Sequence, residues 1–173
     1  MFADIAVIAA AVTFMAVWVP GYFRSRVTNG AKRYEQLVGK RLPLSDLKTS
    51  GSEASIVLVL AAHCPYCLES AGFYQRLSNT RKQGHYALVA VFGDTEAGKQ
   101  FLAVHGIEVD QVIAAAPHTI GAPGTPTVFV VDRSGQVHDI WAGRLAPGEE
   151  EKVFEAVRKM STTPPAGGSN PRT

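Results

Sequence analysis

Cysteine is scarce, with two residues in a chain of 173. Two thiols exclude a disulfide-dense scaffold and a four-thiolate zinc or iron–sulfur centre. An excess of one charge is also missing, since 17 Lys and Arg face 15 Asp and Glu. With a hydrophobic share of 46%, the chain is too apolar and too balanced for a disordered protein. The small net charge of +2 has a local origin. Arg24, Arg26, Lys32, Arg33, Lys40 and Arg41 stand together with one acid, Glu35, whereas from residue 42 onward 11 basic residues face 13 acidic ones. Basicity confined to one short stretch removes nucleic acid as the leading partner. Internal repeats are absent, and the length suits one domain plus extra segments.

One long apolar run is present. Phe2 to Val19 is apolar except for Asp4 and Thr13, and Pro20-Gly21 ends it. At 1.5 Å per residue such a helix would span about 27 Å, close to the hydrocarbon core of a bilayer. Trp18, Tyr22 and Phe23 stand where interfacial aromatics belong. No Lys or Arg precedes the run and no small-x-small site follows it closely, which argues against a cleavable signal peptide. A buried soluble helix would have to be apolar on every face. Residues 1–23 therefore read as an uncleaved membrane anchor, and 24–41 as a basic juxtamembrane linker.

From residue 42 to 161 the pattern is that of a compact domain. Ser55 to Ala61 is a β-branched apolar run, read as a strand buried on both faces. Pro65 opens a helix whose apolar face includes Leu68, Ala71 and Leu77, with Gly84 after its end. Tyr86 to Phe92 is a second buried strand. Gly93-Asp94-Thr95 starts an amphipathic helix that ends near Gly106, and Val112 to Ala115 is a short strand. Thr127 to Val131 is a strand joined by the Asp132–Gly135 turn to Val137–Ala142. Pro147-Gly148 starts the final helix, and 162–173 reads as a disordered tail. Such alternation, closed by a hairpin and a helix, predicts an α/β fold with a central mixed β-sheet flanked by helices.

Both cysteines fall in one motif, His63-Cys64-Pro65-Tyr66-Cys67, where a buried strand ends and a helix begins. Unpaired backbone N–H groups and the positive helix end favour a thiolate at Cys64. Cys67 lies about one turn on, close enough to form a small disulfide. The redox reading makes Cys64 the attacking thiolate and Cys67 the thiol that resolves the mixed disulfide. Half a zinc site looks the same, but none of His63, His85, His105, His118 and His138 forms a pair at ligand spacing with the cysteines. No metal is therefore assigned. His63 is either a cation that tunes the Cys64 thiolate or an exposed spacer. Tyr66 either contributes to a partner surface or only shapes the turn.

Gly124-Thr125-Pro126-Thr127 precedes the Val128–Val131 strand. With Cys-x-x-Cys after the first core strand and a proline loop before a hairpin and last helix, residues 36 to 160 resemble the thioredoxin superfamily. Within it they look most like membrane-anchored TlpA/ResA-type proteins, including the MauD-like branch. Val38-Gly39-Lys40-Arg41-Leu42-Pro43-Leu44 through Leu47 is similar to their usual lead-in, and Gly124–Asp132 followed by Gly135 to their proline strand and turn. The resemblance implies a thioredoxin-like fold with an N-terminal transmembrane helix, Pro126 as a cis-proline against the disulfide, and the Thr125 backbone pairing with an extended substrate. It also implies a thiol–disulfide oxidoreductase acting on protein thiols and disulfides. An upstream dithiol donor or acceptor would serve it, and the Cys64–Cys67 disulfide would be the only redox group, with no cofactor.

Several positions depart from the family. His63 replaces the aromatic before the first cysteine, Leu58 stands where thioredoxin has a buried acid, and Ser70 where ResA-type proteins carry glutamate. Glu69 reads as a solvated helix residue, leaving the proton donor or acceptor unassigned. The Pro65-Tyr66 pair is the one found in glutaredoxins, although the long middle section and lead-in are unlike a minimal glutaredoxin. Peroxiredoxins need a hydroxyl three residues, and a proline seven residues, before their cysteine. Ala61 and Val57 occupy those positions, which disfavours peroxidase activity. The competing class is a tethered thioredoxin-fold chaperone or metallochaperone that binds without turnover. The positive-inside rule, applied to the basic linker, points to a cytoplasmic domain. The resemblance implies an extracytoplasmic (periplasmic) one, which is the expectation adopted.

Overall fold

The contacts divide the chain into two compact units, Met1–Gln36 and Leu37–Thr173. In the computed structural model residues 36–48 and 52–162 are described, and all but the first belong to the second unit. The apolar run and the expected tail from 163 onward lie outside the described residues. Among the described residues no helix is long and apolar enough to cross a membrane.

Five strands form the sheet: β1 (Ala54–Leu60), β2 (Tyr86–Phe92), β3 (Gln111–Ala114), β4 (Thr127–Asp132) and β5 (Val137–Ala142). Their order is β3-β2-β1-β4-β5. β1 runs parallel to β2 and β2 to β3, whereas β4 is antiparallel to β1 and β5 to β4. Central β1 and β2 are buried along all seven residues, which explains why both read as uninterrupted apolar runs.

Alternation divides the core into two layers. Ile56, Leu58, Leu60, Leu88, Ala90, Phe92, Val128 and Val130 face the helices, in one cluster with Cys67, Phe73, Tyr74, Leu77, Phe101, Leu102, Val153 and Val157. Val57, Val59, Val89, Val91, Phe129 and Val131 face the other way, against Leu42, Ile120 and Ala122. Leu37, Leu44 and Leu47 also pack on this second face. The lead-in is fastened there by backbone pairing: Gly39 N donates to Val137 O at 2.8 Å, Val137 N to Lys40 O at 2.9 Å, and Leu42 N to Gly135 O at 2.9 Å. The compact unit thus begins at Leu37, and the last residues of the basic linker belong to it.

The helices are α1 (Pro65–Glu69), α2 (Ala71–Thr80), α3 (Thr95–Val104) and α4 (Pro147–Thr162), with a 3₁₀ turn at Pro117–Ile120. The sequence pattern predicts one helix from Pro65 toward Gly84, but the structure breaks it. Ser70, at φ −93° and ψ 2°, separates α1 from α2. Its hydroxyl donates to Tyr66 O at 2.8 Å, the local side-chain-to-backbone bonding by which serine competes with helix continuation. Asp94 caps α3 by accepting from Glu96 N and Ala97 N at 3.0 and 3.1 Å, a cap worth about 1 kcal/mol.

Gly98 faces the sheet from α3, and a Cβ placed there would run into the Phe92 ring. That ring is fully buried and has no free volume to enter. Gly98→Ala gains about 1 kcal/mol of helix propensity but overpacks the core, at about 1–3 kcal/mol. Urea unfolding of the variant should show net destabilisation.

Candidate active site

The candidate site lies where β1 ends and β4 begins. The β1–β4 register pairs Val59 with Thr127, so the segments leaving β1 and entering β4 are neighbours. Cys64 follows the Ala61–His63 turn, with its N–H donating to Ala61 O at 3.1 Å. It is the N-cap of α1, extended at φ −81° and ψ 118°, with Pro65 opening the helix. Its carbonyl accepts from Cys67 N at 3.0 Å and Leu68 N at 3.1 Å. Across the groove the Thr125–Pro126 peptide bond is cis, and the Cys64 Sγ–H donates to Thr125 O at 3.3 Å. The proline loop is itself tied down. Thr127 Oγ1 donates to Gly124 O at 2.9 Å, and Gly143 N to Pro126 O at 2.8 Å.

Cys64 is partly exposed, whereas Cys67 is 0% exposed in the core layer beneath it; both are free thiols. Burial of the Cys64 sulfur opposes its ionisation. Hydrogen bonding from the Thr125 side chain, from Cys67 and from the Tyr66 backbone outweighs that effect, so the Cys64 thiol lies below the ordinary range. α1 has only five residues, so this support comes from nearby donors rather than a long helix dipole. Cys67 is the reverse case. Desolvation, together with its hydrogen bond and charge interaction with Cys64, pushes it up to about 12. Ionisation is favoured at one sulfur, and the other holds its proton behind it.

The remaining predicted positions are placed as follows. Pro126 is buried and Thr125 partly buried at the groove. Tyr66 is 58% and Leu68 46% exposed, so α1 presents apolar surface beside Cys64. His63 is exposed next to Cys64, and no side-chain hydrogen bond ties its ring among the described residues. Leu58 is 0% exposed in the helix-side core. Glu69 is more than a solvated helix residue: its Oε2 accepts from Arg144 Nη1 at 2.6 Å. Sequence reasoning missed Arg144, which carries no motif and stands 75 positions from its partner. It also missed Tyr74, buried in the same layer as Cys67, with a phenol pushed upward by desolvation and by the charges of Cys67 and Cys64.

Surface cavities of about 470 to 610 Å³ open between Arg41–Leu47 and Arg133–Gly135, around Lys48, Lys82 and His85, and between β5 and α4. None of these three is lined by Cys64 or Cys67. Among the described residues no group of three or more His, Cys, Asp and Glu side chains is gathered as a metal site would need. The arrangement provides the geometry for dithiol exchange: a stabilised thiolate, a second thiol about one helical turn away, and a backbone carbonyl beside them.

Comparison with solved structures identifies the architecture. A Chlorobium tepidum protein described as the thiol:disulfide interchange protein DsbE superposes with a TM-score of 0.58 at 22% identity, over 71% of this chain and 96% of that one. The fold is thioredoxin-like. A thiol-disulfide isomerase from Corynebacterium glutamicum gives 0.55 at 18% identity, over 73% and 94% of the two chains. A thioredoxin-like protein from Porphyromonas gingivalis gives 0.54 at 21%, over 67% and 80%. No family model and no curated protein matches the sequence. Within this thioredoxin-like fold, the cysteine pair follows the central strand and the cis-proline precedes its antiparallel neighbour.

The two thiols should be distinguishable in solution. Iodoacetamide at pH 7 should label Cys64 alone in the reduced protein, read by peptide mass. Stability carries a second signature. Cys67 titrates near 9 when unfolded but only near 12 when folded, so above pH 9 the unfolded chain releases a proton that the folded one keeps. Stability therefore falls as pH rises from 9 toward 12. Cys64, lowered in the fold, contributes a gain with rising pH that levels off above 9. Urea unfolding under reducing conditions should show a shallower alkaline loss for Cys67→Ala than for the parent.

Proposed function

We propose that this chain is a membrane-tethered thiol–disulfide oxidoreductase of TlpA/ResA type that exchanges its Cys64–Cys67 dithiol with protein partners. One observation carries the reading: Cys64, partly exposed and favoured as thiolate, sits against Thr125 of a cis Thr125–Pro126 bond with buried Cys67 behind it. Cys64 attacks one sulfur of a partner disulfide, forming a mixed disulfide and releasing the other partner sulfur as a thiolate. Cys67 then attacks Cys64, giving its proton to the departing partner sulfur and closing the Cys64–Cys67 disulfide. Two electrons pass from the dithiol to the partner, and an upstream dithiol returns them. The reverse direction oxidises a partner dithiol by the same steps.

Pro126 gates the approach to the sulfurs and the Thr125 backbone docks the extended partner. Exposed Tyr66 supplies apolar contact surface, and His63 borders the same opening. The open surface at Cys64 suits a polypeptide better than an enclosed small molecule. Residues 1–23 serve as anchor, with the redox domain extracytoplasmic and maturation of secreted or cytochrome-type proteins as its setting.

Trapping in membranes tests this. Cys67→Ser leaves the attack intact and removes the only resolving thiol, since the chain has two cysteines. It should accumulate higher-mass adducts that collapse with dithiothreitol, whereas Cys64→Ser should accumulate none. Equal trapping by both variants would dissolve the assigned roles. Absence of adducts from both, together with stoichiometric zinc or copper in the native protein, would favour the tethered metallochaperone.

A further inference from the structure

Two walls bound the groove above Cys64. One is α1, cut off from α2 at Ser70. The other is formed by Gly124–Pro126 and the end of β5. A five-residue helix with its own break cannot fix its angle to the facing wall through backbone bonds alone. One side-chain contact spans the gap, and a backbone bond fastens its far end to the proline loop. Arg144 Nη1 donates to Glu69 Oε2, the last side chain of α1, at 2.6 Å. Gly143, next to Arg144, donates its N–H to Pro126 O at 2.8 Å. Gly143 holds φ +84°, a left-handed conformation that glycine adopts without strain and that turns the chain after β5. The contacts close a ring: Cys64, α1, Glu69, Arg144, Gly143, Pro126, Thr125, and back to the Cys64 sulfur at 3.3 Å.

We propose that Arg144 is a positioning residue for Cys64: its ion pair with Glu69, anchored through Gly143 to Pro126, sets the width of the groove and so the approach of the Cys64 sulfur to Thr125. The functional meaning rests on the redox reading above, although the geometry does not. Arg144 acts on the sulfur only through this ring. Another ion pair, Arg76 with Glu150 at 2.6 Å, ties α2 to α4 and leaves the groove walls alone. A wider groove takes the sulfur off the Thr125 carbonyl that it meets at 3.3 Å. It also misaligns an incoming disulfide, for which small displacements cost rate.

The test uses the full chain in detergent, with Arg144→Met, which keeps an apolar stem, Glu69→Gln, the conservative Arg144→Lys, and the exchanged pair Glu69→Arg with Arg144→Glu. Alkylation of Cys64 by iodoacetamide is followed against pH, and KM and kcat for reduction of a protein disulfide are measured separately. Arg144→Met and Glu69→Gln should each shift the rate of Cys64 alkylation at pH 7 by about threefold, the scale of an exposed ion pair. They should lower kcat by about three- to tenfold with little change in KM. Arg144→Lys should recover the parent alkylation profile to within about twofold, and the exchanged pair should do so wherever it folds with the parent's Tm. A profile for Arg144→Met that overlays the parent overturns the proposal, as does failure of a stably folded Arg144→Lys to recover it. Alkylation does not require turnover. A parent protein that reduces no disulfide would therefore sink the redox reading while the alkylation series still judges the strut.

Discussion

Everything at the candidate site depends on the antiparallel pairing of β1 with β4. Cys64 and Thr125 are 61 residues apart, and nothing local brings them together. The pairing of Val59 with Thr127 makes the chain leaving β1 and the chain entering β4 emerge side by side. Burial of β1 on both faces fixes that register, because a slip of one residue would turn the Ile56–Leu58–Leu60 face from the helices to the lead-in. The site is thus positioned by the fully buried centre of the sheet.

That arrangement makes two identical side chains chemically different. The difference follows from depth: Cys64 caps a helix at the surface, and Cys67, one turn on, points into the layer of Phe73, Tyr74 and Leu77. Hydrogen-bond donors outweigh burial and favour an anion at the first sulfur. Desolvation, with Cys64 as neighbour, penalises one at the second. The helix break at Ser70 is part of this. It lets α1 present Cys64 and Tyr66 to the groove while α2 takes its own angle to bury Phe73 and Tyr74.

Most of the fold was legible because its signals are local. The both-face burial of β1 and β2 appears as apolar runs, and the observed strands match the expected ones to within a residue or so. Cys64 and Cys67 were legible because their chemistry depends on a spacing of three. The break at Ser70 was not, since the apolar period continues from Leu68 through Ala71 to Leu77 and serine is tolerated within a helix. The sequence pattern of a compact domain begins at residue 42, whereas backbone pairing of Gly39 with Val137 ties the preceding residues to the sheet, and backbone bonds leave little mark in composition. Arg144 was illegible for a third reason: which carboxylate an arginine meets depends on tertiary geometry that no periodicity encodes.

The proton of Cys67 is the last constraint that the structure imposes. In the proposed exchange a resolving thiol held near 12 must lose its proton as it attacks, and a buried acid beneath the sulfur is one way to arrange this. Here the corresponding side chain is Leu58, wholly buried, and Ser70 spends its hydroxyl proton on Tyr66 O. Ionisable groups that interact with Cys67 include Cys64 and, through its raised phenol, Tyr74. Tyr74 is a weaker acid than in water and takes no proton while neutral. In the proposed exchange the acceptor is the sulfur that departs, which becomes basic as the Cys64 bond to it breaks. Coupling the proton to the leaving sulfur removes the need for a carboxylate under the dithiol, so an apolar Leu58 is compatible with exchange. It also makes resolution sensitive to how closely the partner sulfur is held over Cys67, the distance that the groove between α1 and the cis-proline loop controls.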